Sequence, residues 1–425
     1  MVVPRKTKRI GLMGPFGYGN LGDAATQDAI IGYIRRKFPD IEICGFSLNP
    51  EDTEARHGIK TFPLSWRSWQ SDAGHVRRFS ERVAEWLKSR ESRSLHGLGR
   101  VVLRAPKELG LIKEAFDALR GLDLLIVSGG GQLEDYWGDG PWTYPYTLLK
   151  WSTLARLRGT KIVFISVGAG PIRAPLSKLF IRWALSLSEY RSYRDDFSRQ
   201  LIESIGFDGN DPVYPDLAFG LSLGQNGPAQ RPHGVERIVA IGPIGYFKKG
   251  SWPEADETIY DRYVDKMTSF VAWLLSRNHA VVFLPGEVHY DQLAIGDLLA
   301  RLERMGLDRN RLLRPVISSV GDLVSQLSMT DIVVASRFHG LLLAQALGKP
   351  AIGLSYQEKI DALMNDAGQG EYCFPIGSFE VERLKQQFST IEEHYQSVQA
   401  QIVRWASTRR SQLEEQYRHV FAEPS

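Results

Sequence analysis

The pattern that most constrains this chain is an alternation of short apolar runs with amphipathic stretches, which stops once and then begins again. Apolar runs of four to eight residues separated by helix-length amphipathic segments describe a parallel sheet wrapped by helices. In the first half the predicted strands are RIGLMG, EICGFSL, DLLIVSGG, KIVFISVG and PVYPDLAF, with helices beginning near Asp23, Tyr144, Leu176 and Phe197. The stretch Ser222–Gly234, SLGQNGPAQRPHG, is polar and rich in Gly and Pro and reads as a linker. The pattern then restarts with RIVAIGPI, AVVFLPG, RLLRPV, DIVVAS and PAIGLSY. From Glu380 to His419 apolar residues recur at helical spacing among charges, which predicts one or two closing helices. The expected organisation is a doubly wound, Rossmann-like domain over 1–221, a linker over 222–234, a second such domain over 235–379, and C-terminal helices over 380–425. Two such sheets predict a cleft, because open parallel sheets bind ligands beyond the carboxyl ends of their strands.

Composition excludes several alternatives. At 425 residues the chain is too long for one ordinary core. A net charge of +3 is far from the basic balance of a nucleic-acid binder. Cys44 and Cys373 are the only cysteines, so neither a disulfide framework nor a cysteine metal cluster is expected. No run has the apolar length of a signal peptide or a membrane span. The expected compartment is the cytoplasm, and no metal site is expected.

Each chemistry-bearing motif follows a predicted strand. After RIGLMG comes PFGYGNLGDAAT, where Gly17, Asn20 and Asp23 belong to a glycine-rich turn opening a helix. Such a turn exposes backbone N–H groups to an anion or to sugar hydroxyls. It lacks the Gly-Lys-Ser/Thr of a P-loop and the dinucleotide spacing, and Asp23 serves equally as a helix cap. After DLLIVS comes GGGQLEDYWG, with Gly129 and Gly130 at the strand end and Asp135 beside Tyr136 and Trp137. Carboxylates next to aromatic rings suit a sugar, and equally a loop packed by its own rings. In YRSYRDDFS, Arg191 and Arg194 end a short strand, and Asp195 or Asp196 caps the next helix. Arginine forks fit carboxylates and phosphates, though such residues often serve surface ion pairs.

The richest stretch is DIVVASRFHGLLLAQALGKPAIGLSYQEKI. Ser336, Arg337 and His339 lie between a buried strand and an apolar helix, so a cation, an imidazole and a helix N-terminus converge at one strand end. An imidazole there can carry a proton at neutral pH. Lys359 follows the next strand. Earlier, FLPGEVHYDQ places Glu287, His289 and Asp291 after a strand, with Asp291 expected to cap its helix. One region differs in kind. From Trp66 to Gly110 ten basic residues face five acidic ones, with Val76, Phe79, Val83, Trp86 and Leu87 at helical spacing. This fits either a solvated helix face or a peripheral contact with an anionic membrane.

Taken together, GYGNLGD, SGGGQLED, SVGAGPI, SYRDDFS, VYPD and ASRFHGLLLAQALGKPAIGLSYQEKI, in this order, resemble the polysaccharide pyruvyltransferase family from the first strand to beyond Lys359. The resemblance implies two facing Rossmann-like domains like those of the B-type glycosyltransferases. It implies transfer of pyruvate from phosphoenolpyruvate, as co-substrate with no other cofactor, onto two hydroxyls of a sugar as a ketal. By position Arg337 and His339 match the family's Arg-x-His pair, Arg194 its Arg-Asp pair and Lys359 its late lysine. The implied donor site is Arg337, Arg194, Lys359 and Ser336, with His339 and Asp135 as catalytic groups and Gly17, Asn20, Asp23, Gly129 and Gly130 as acceptor or cleft loops. The sugar acceptor is lipid-linked, nucleotide-linked or polymeric, and no nucleic acid is involved. The segment from Trp66 to Gly110 has no counterpart in the family pattern. Two other readings share the fold: a B-type glycosyltransferase, for which Glu358 would hold the ribose, and a non-catalytic glycan-binding subunit.

Overall fold

The arrangement of these segments comes from a computed structural model, which describes residues 8–17, 19–65, 108–135, 140–222, 232, 234–252, 254–307 and 309–421. Tyr18, Tyr136, Trp137, the basic segment over 66–107 and nearly all of the expected linker lie outside the described residues. The chain divides into two compact units. One comprises 1–18, 26–217 and 413–425; the other comprises 19–25 and 218–412.

In the first unit seven parallel strands form one sheet. They are β1 (Arg9–Met13), β2 (Glu42–Ser47), β3 (Lys60–Pro63), β4 (Leu124–Ser128), β5 (Gly131–Leu133), β6 (Lys161–Ala169) and β7 (Tyr190–Tyr193). The order is β3-β2-β1-β4-β6, with β5 and β7 both pairing β6. The helices are α1 (Leu21–Lys37), α2 (Pro50–His57), α3 (108–118), α4 (Tyr144–Leu157), α5 (Pro175–Ser186) and α6 (Asp196–Ser204). β4 is buried along its whole length, as a strand covered on both faces must be, and reads as the continuous apolar run LLIVS.

The second unit holds β8 (Ile238–Gly242), β9 (Ala280–Phe283), β10 (Leu312–Leu313), β11 (Ile332–Ala335), β12 (Ala351–Ser355) and β13 (Cys373–Pro375), all parallel. Their order, β10-β9-β8-β11-β12-β13, is the 3-2-1-4-5-6 order of a doubly wound sheet. Its helices are α7 (Glu257–Ser276), α8 (Asp291–Arg304), α9 (Val320–Met329), α10 (Phe338–Ala346), α11 (Glu358–Asp366) and α12 (Val381–Glu393). The last helix, α13 (Tyr395–Phe421), begins in the second unit and ends in the first. No helix among the described residues is long and apolar enough to cross a membrane.

Three expectations need correction. PVYPDLAF is not a strand: Val213 makes a single bridge to Tyr193, and Leu217–Gly220 turn into a 3-10 helix. Pro212 and Pro215 have no N–H to give a ladder, which explains the break. RLLRPV shrinks to Leu312–Leu313, ending two residues before Pro315. Helix α1 begins at Leu21, two residues before the expected start, because Asn20 rather than Asp23 caps it; the Asn20 side-chain oxygen accepts the Gly22 amide at 3.0 Å.

Candidate functional site

In each sheet the strand order reverses direction at one point, and the motifs gather there. In the second unit that point lies between β8 and β11, where the Ser336 amide donates to Gly242 O at 3.1 Å. The next residue, Arg337, is the N-cap of α10 in extended conformation, and no side chain caps that helix end. The first turn of a helix presents amides without intrahelical partners and the positive end of its dipole. Arg337 and His339 therefore stand where an anion is favoured before any side chain is counted.

The Arg337 guanidinium is held from below. Its Nη2 donates to Asp291 Oδ1 at 2.6 Å and its Nε to Oδ2 at 3.2 Å. Asp291 is fully buried, while the arginine side chain is 32% exposed. Burial alone would lower the arginine's proton affinity, but the facing carboxylate more than reverses this and fixes the cation. Asp291 Oδ2 also accepts the amides of Gly286 and Glu287, each at 2.9 Å. Asp291 is thus not the helix cap that the sequence suggested; that position is Tyr290. Asp291 ties the loop after β9 to the arginine. Gly286 is required there, since a Cβ on it would fall 2.8 Å from Arg337 Cγ. With the Nε–Nη2 edge committed to Asp291, Nη1 makes no bond among the described residues and is the donor left to a ligand.

The helix start itself is closed by Glu287, which is buried and accepts the amides of His289 (3.1 Å) and Tyr290. Burial pushes its carboxyl up; the two amides and Arg337 pull it back, while Asp291 adds to the rise.

The glycine-rich turn lies against this loop within the same unit. Leu21 N donates to Gly286 O at 3.0 Å, Val288 N donates to Gly19 O at 3.1 Å, and Asn20 bridges Glu287. Asn20 is oriented by donating to Asp23 at 2.8 Å. The turn's second function is to seat His339. A Cβ on Gly22 would lie 2.2 Å from both Cγ and Nδ1 of that ring, so the imidazole rests directly on the glycine backbone. Phe338 flanks the ring edge-on, with centroids 5.1 Å apart.

Lys359 sits in the first turn of α11, just past β12, the strand paired with β11. Among the described residues it makes no hydrogen bond or ion pair. Tyr356, at the end of the same strand, lies close enough to Arg337 to influence its charge.

The other expected residues belong to the first unit. Its sheet reverses between β1 and β4, where Gly17 turns with φ +99° against Asn49 and Gly129 and Gly130 follow β4 with φ +53° and +67°. Arg194 is buried and paired with Asp195 at 3.2 Å and Asp216 at 3.5 Å. It lies over Gly168, whose added Cβ would come within 2.7 Å of Nη2. Burial opposes the charge on Arg194, and the two aspartates restore it. Asp195 also accepts the Ser198 amide at 2.7 Å, so it, not Asp196, caps α6. Asp135 is buried, and its carboxylate accepts the amides of Arg173 (2.9 Å) and Ala174 (2.9 Å), which anchors the approach to α5.

Three contributors were missed from sequence: Asp291 as the partner of Arg337, Gly22 as the seat of His339, and Asp216 as the partner of Arg194. The signal for Asp216 was present in VYPD.

Comparison with known proteins agrees with this architecture. The chain has the fold of a Rickettsia africae glycosyltransferase (TM-score 0.53, 11% identity, covering 99% of this chain and 100% of that one). It is also similar to the UDP-GlcNAc 2-epimerase of Neisseria meningitidis (0.54, 11%, covering 96% and 100%) and that of Methanocaldococcus jannaschii (0.52, 10%, covering 90% and 92%). At such identities the likeness is one of fold. No curated protein matches the sequence. The sequence pattern of the polysaccharide pyruvyl transferases, however, spans residues 20–358, from the cap of the glycine-rich turn through Arg337 and His339, and the chain belongs to that family.

Proposed function

We propose that the protein transfers the pyruvyl group of phosphoenolpyruvate to two hydroxyls of a sugar, forming a ketal. The observation that carries this reading is the pairing at the head of α10: a guanidinium fixed by a buried carboxylate, with an imidazole seated on Gly22 two positions along the chain. Phosphoenolpyruvate brings a phosphate and a carboxylate, and Arg337 Nη1, the α10 amides and Lys359 are the donors suited to them. His339 protonates the methylene carbon while the first sugar hydroxyl adds to the enol carbon and passes its proton to the phosphate. Phosphate then leaves with that proton, the second hydroxyl adds to the resulting oxocarbenium carbon, and its proton returns to the His339 imidazole. Each turnover thus consumes one donor, releases one phosphate and regenerates the imidazole's proton.

In this reading Ser336 supports the donor side, while Arg194 stays paired with Asp195 and Asp216 in the first unit. Ser336 acts through its backbone, since it is fully buried. Asp135, occupied by two amides, shapes the acceptor loop together with Gly129 and Gly130.

The test is phosphate release from phosphoenolpyruvate against a panel of lipid-linked, nucleotide-linked and polymeric sugars, with melting temperature recorded for each ligand alone. A ligand that binds only the folded state raises that temperature. Stabilisation by phosphoenolpyruvate and acceptor-dependent phosphate release support the assignment. Stabilisation by a nucleotide sugar with no effect of phosphoenolpyruvate replaces it with the glycosyltransferase reading.

A further inference from the structure

We propose that the outer face of α5, with the turn that precedes α4, docks onto an anionic lipid surface. The first observation is one of charge. Between Gly140 and Ser188 the sequence carries seven lysines and arginines and no aspartate or glutamate; of the seven, Lys150, Arg156, Arg158 and Lys161 pair with acids outside this stretch. On α5 the cations are Lys178 and Arg182, whose side chains make no ion pair among the described residues.

The second observation is what lies beside them. Phe180, Ile181, Ala184 and Leu185 turn inward and are buried. Leu176 and Leu179 are half-buried on the opposite side, and Trp183 is 52% exposed. Trp142, 50% exposed, reaches this helix from the preceding turn and packs edge-on against Phe180 with centroids 5.5 Å apart. One exposed indole on α5 and a second packed against its Phe180, with Lys178 and Arg182 on the same helix, are costly to leave in water and match the headgroup region of a bilayer. Tryptophan favours that boundary, and lysine and arginine can extend their charge to the phosphates while their stems stay against apolar surface.

Flotation of the full chain tests this. The vesicles contain phosphatidylcholine alone or mixed equally with phosphatidylglycerol. The wild type is expected to float with the anionic vesicles at low salt, to be released as salt rises, and to remain behind with the neutral ones. Lys178→Glu/Arg182→Glu is expected to lower the partition coefficient at least tenfold, and Trp142→Ser/Trp183→Ser to do so with an unchanged melting temperature. Failure of the wild type to float overturns the proposal. So does flotation that neither double variant weakens. A tryptophan variant that turns a sedimenting dimer into a monomer, with no vesicle binding in the wild type, reassigns the face to contact between copies. None of these readouts depends on the chemistry proposed above.

Discussion

Placing a methyl group on Gly22 separates a working His339 from a merely structural one. Gly22 lies in the first turn of α1 with ordinary helical backbone, so alanine costs nothing in conformation there and is the better helix former. The new Cβ would sit 2.2 Å from two atoms of the imidazole. Non-bonded carbon contacts settle at about 3.5–4.0 Å, so the ring must retreat by more than 1 Å or leave its rotamer. Overpacking of this kind costs about 1–3 kcal/mol of stability. A displacement of about 1 Å at a reacting group costs on the order of a hundredfold in rate. The expected result for Gly22→Ala is a hundredfold loss in kcat/KM for phosphate release, a modest fall in melting temperature, and phosphoenolpyruvate affinity within a few-fold of wild type. Gly32→Ala in the same helix is the control, because its added Cβ would meet only the end of the Arg36 side chain at 3.3 Å. It should keep full activity. Wild-type turnover in folded Gly22→Ala protein would refute the placement of His339 in the chemistry.

Three further outcomes are expected. Arg337→Lys keeps the charge but loses the planar fork that grips Asp291 along one edge and points Nη1 away from it, so the dissociation constant of phosphoenolpyruvate, read by calorimetric titration, should rise roughly tenfold to a hundredfold. Asp291→Ala removes the buried partner of a cation that is one-third exposed and the acceptor of two loop amides, and denaturant titration should show a loss of about 1–3 kcal/mol. An equal stability for the variant would mean that the pair is not the anchor described. His279 is buried, and burial followed by the nearby Arg277 lowers its pKa to about 4 from 6.5. Above pH 6.5 the ring is neutral in both states; below it the unfolded chain takes the proton first, so stability should fall as pH drops from 6.5 towards 4, by about 2–3 kcal/mol in total. Chemical denaturation across that window should show the slope, and His279→Gln should flatten it.

The sheets could be read from sequence because buried parallel strands are written as unbroken apolar runs, and IVVA and LLIVS are too short for helices and rich in β-branched residues. β3, β5 and β13 could not, since KTFP, GQL and CFP are three or four residues long and carry no period. The positions of Arg337 and His339 were legible because the strand ends just before them and the helix begins at once. Their partners were not. Asp291 lies 46 residues upstream and resembles a helix cap, and only the fold shows that its lone pairs face an arginine. Gly22 reads as one turn glycine among several, because a steric requirement imposed by a residue more than three hundred positions away leaves no local mark.

The second unit is not a continuous stretch of chain. It takes Gly19–Ala25 from near the N-terminus, and with them the surface on which His339 rests. Recombination within such a family is therefore constrained in a way that a two-domain description hides. A chimera that joins one member's first half to another's second half, with the seam in the polar stretch around residue 230, does not exchange whole functional modules. It pairs a foreign glycine turn with a native histidine, and any bulk at the position of Gly22 is inherited by the second unit even though it is encoded in the other parent.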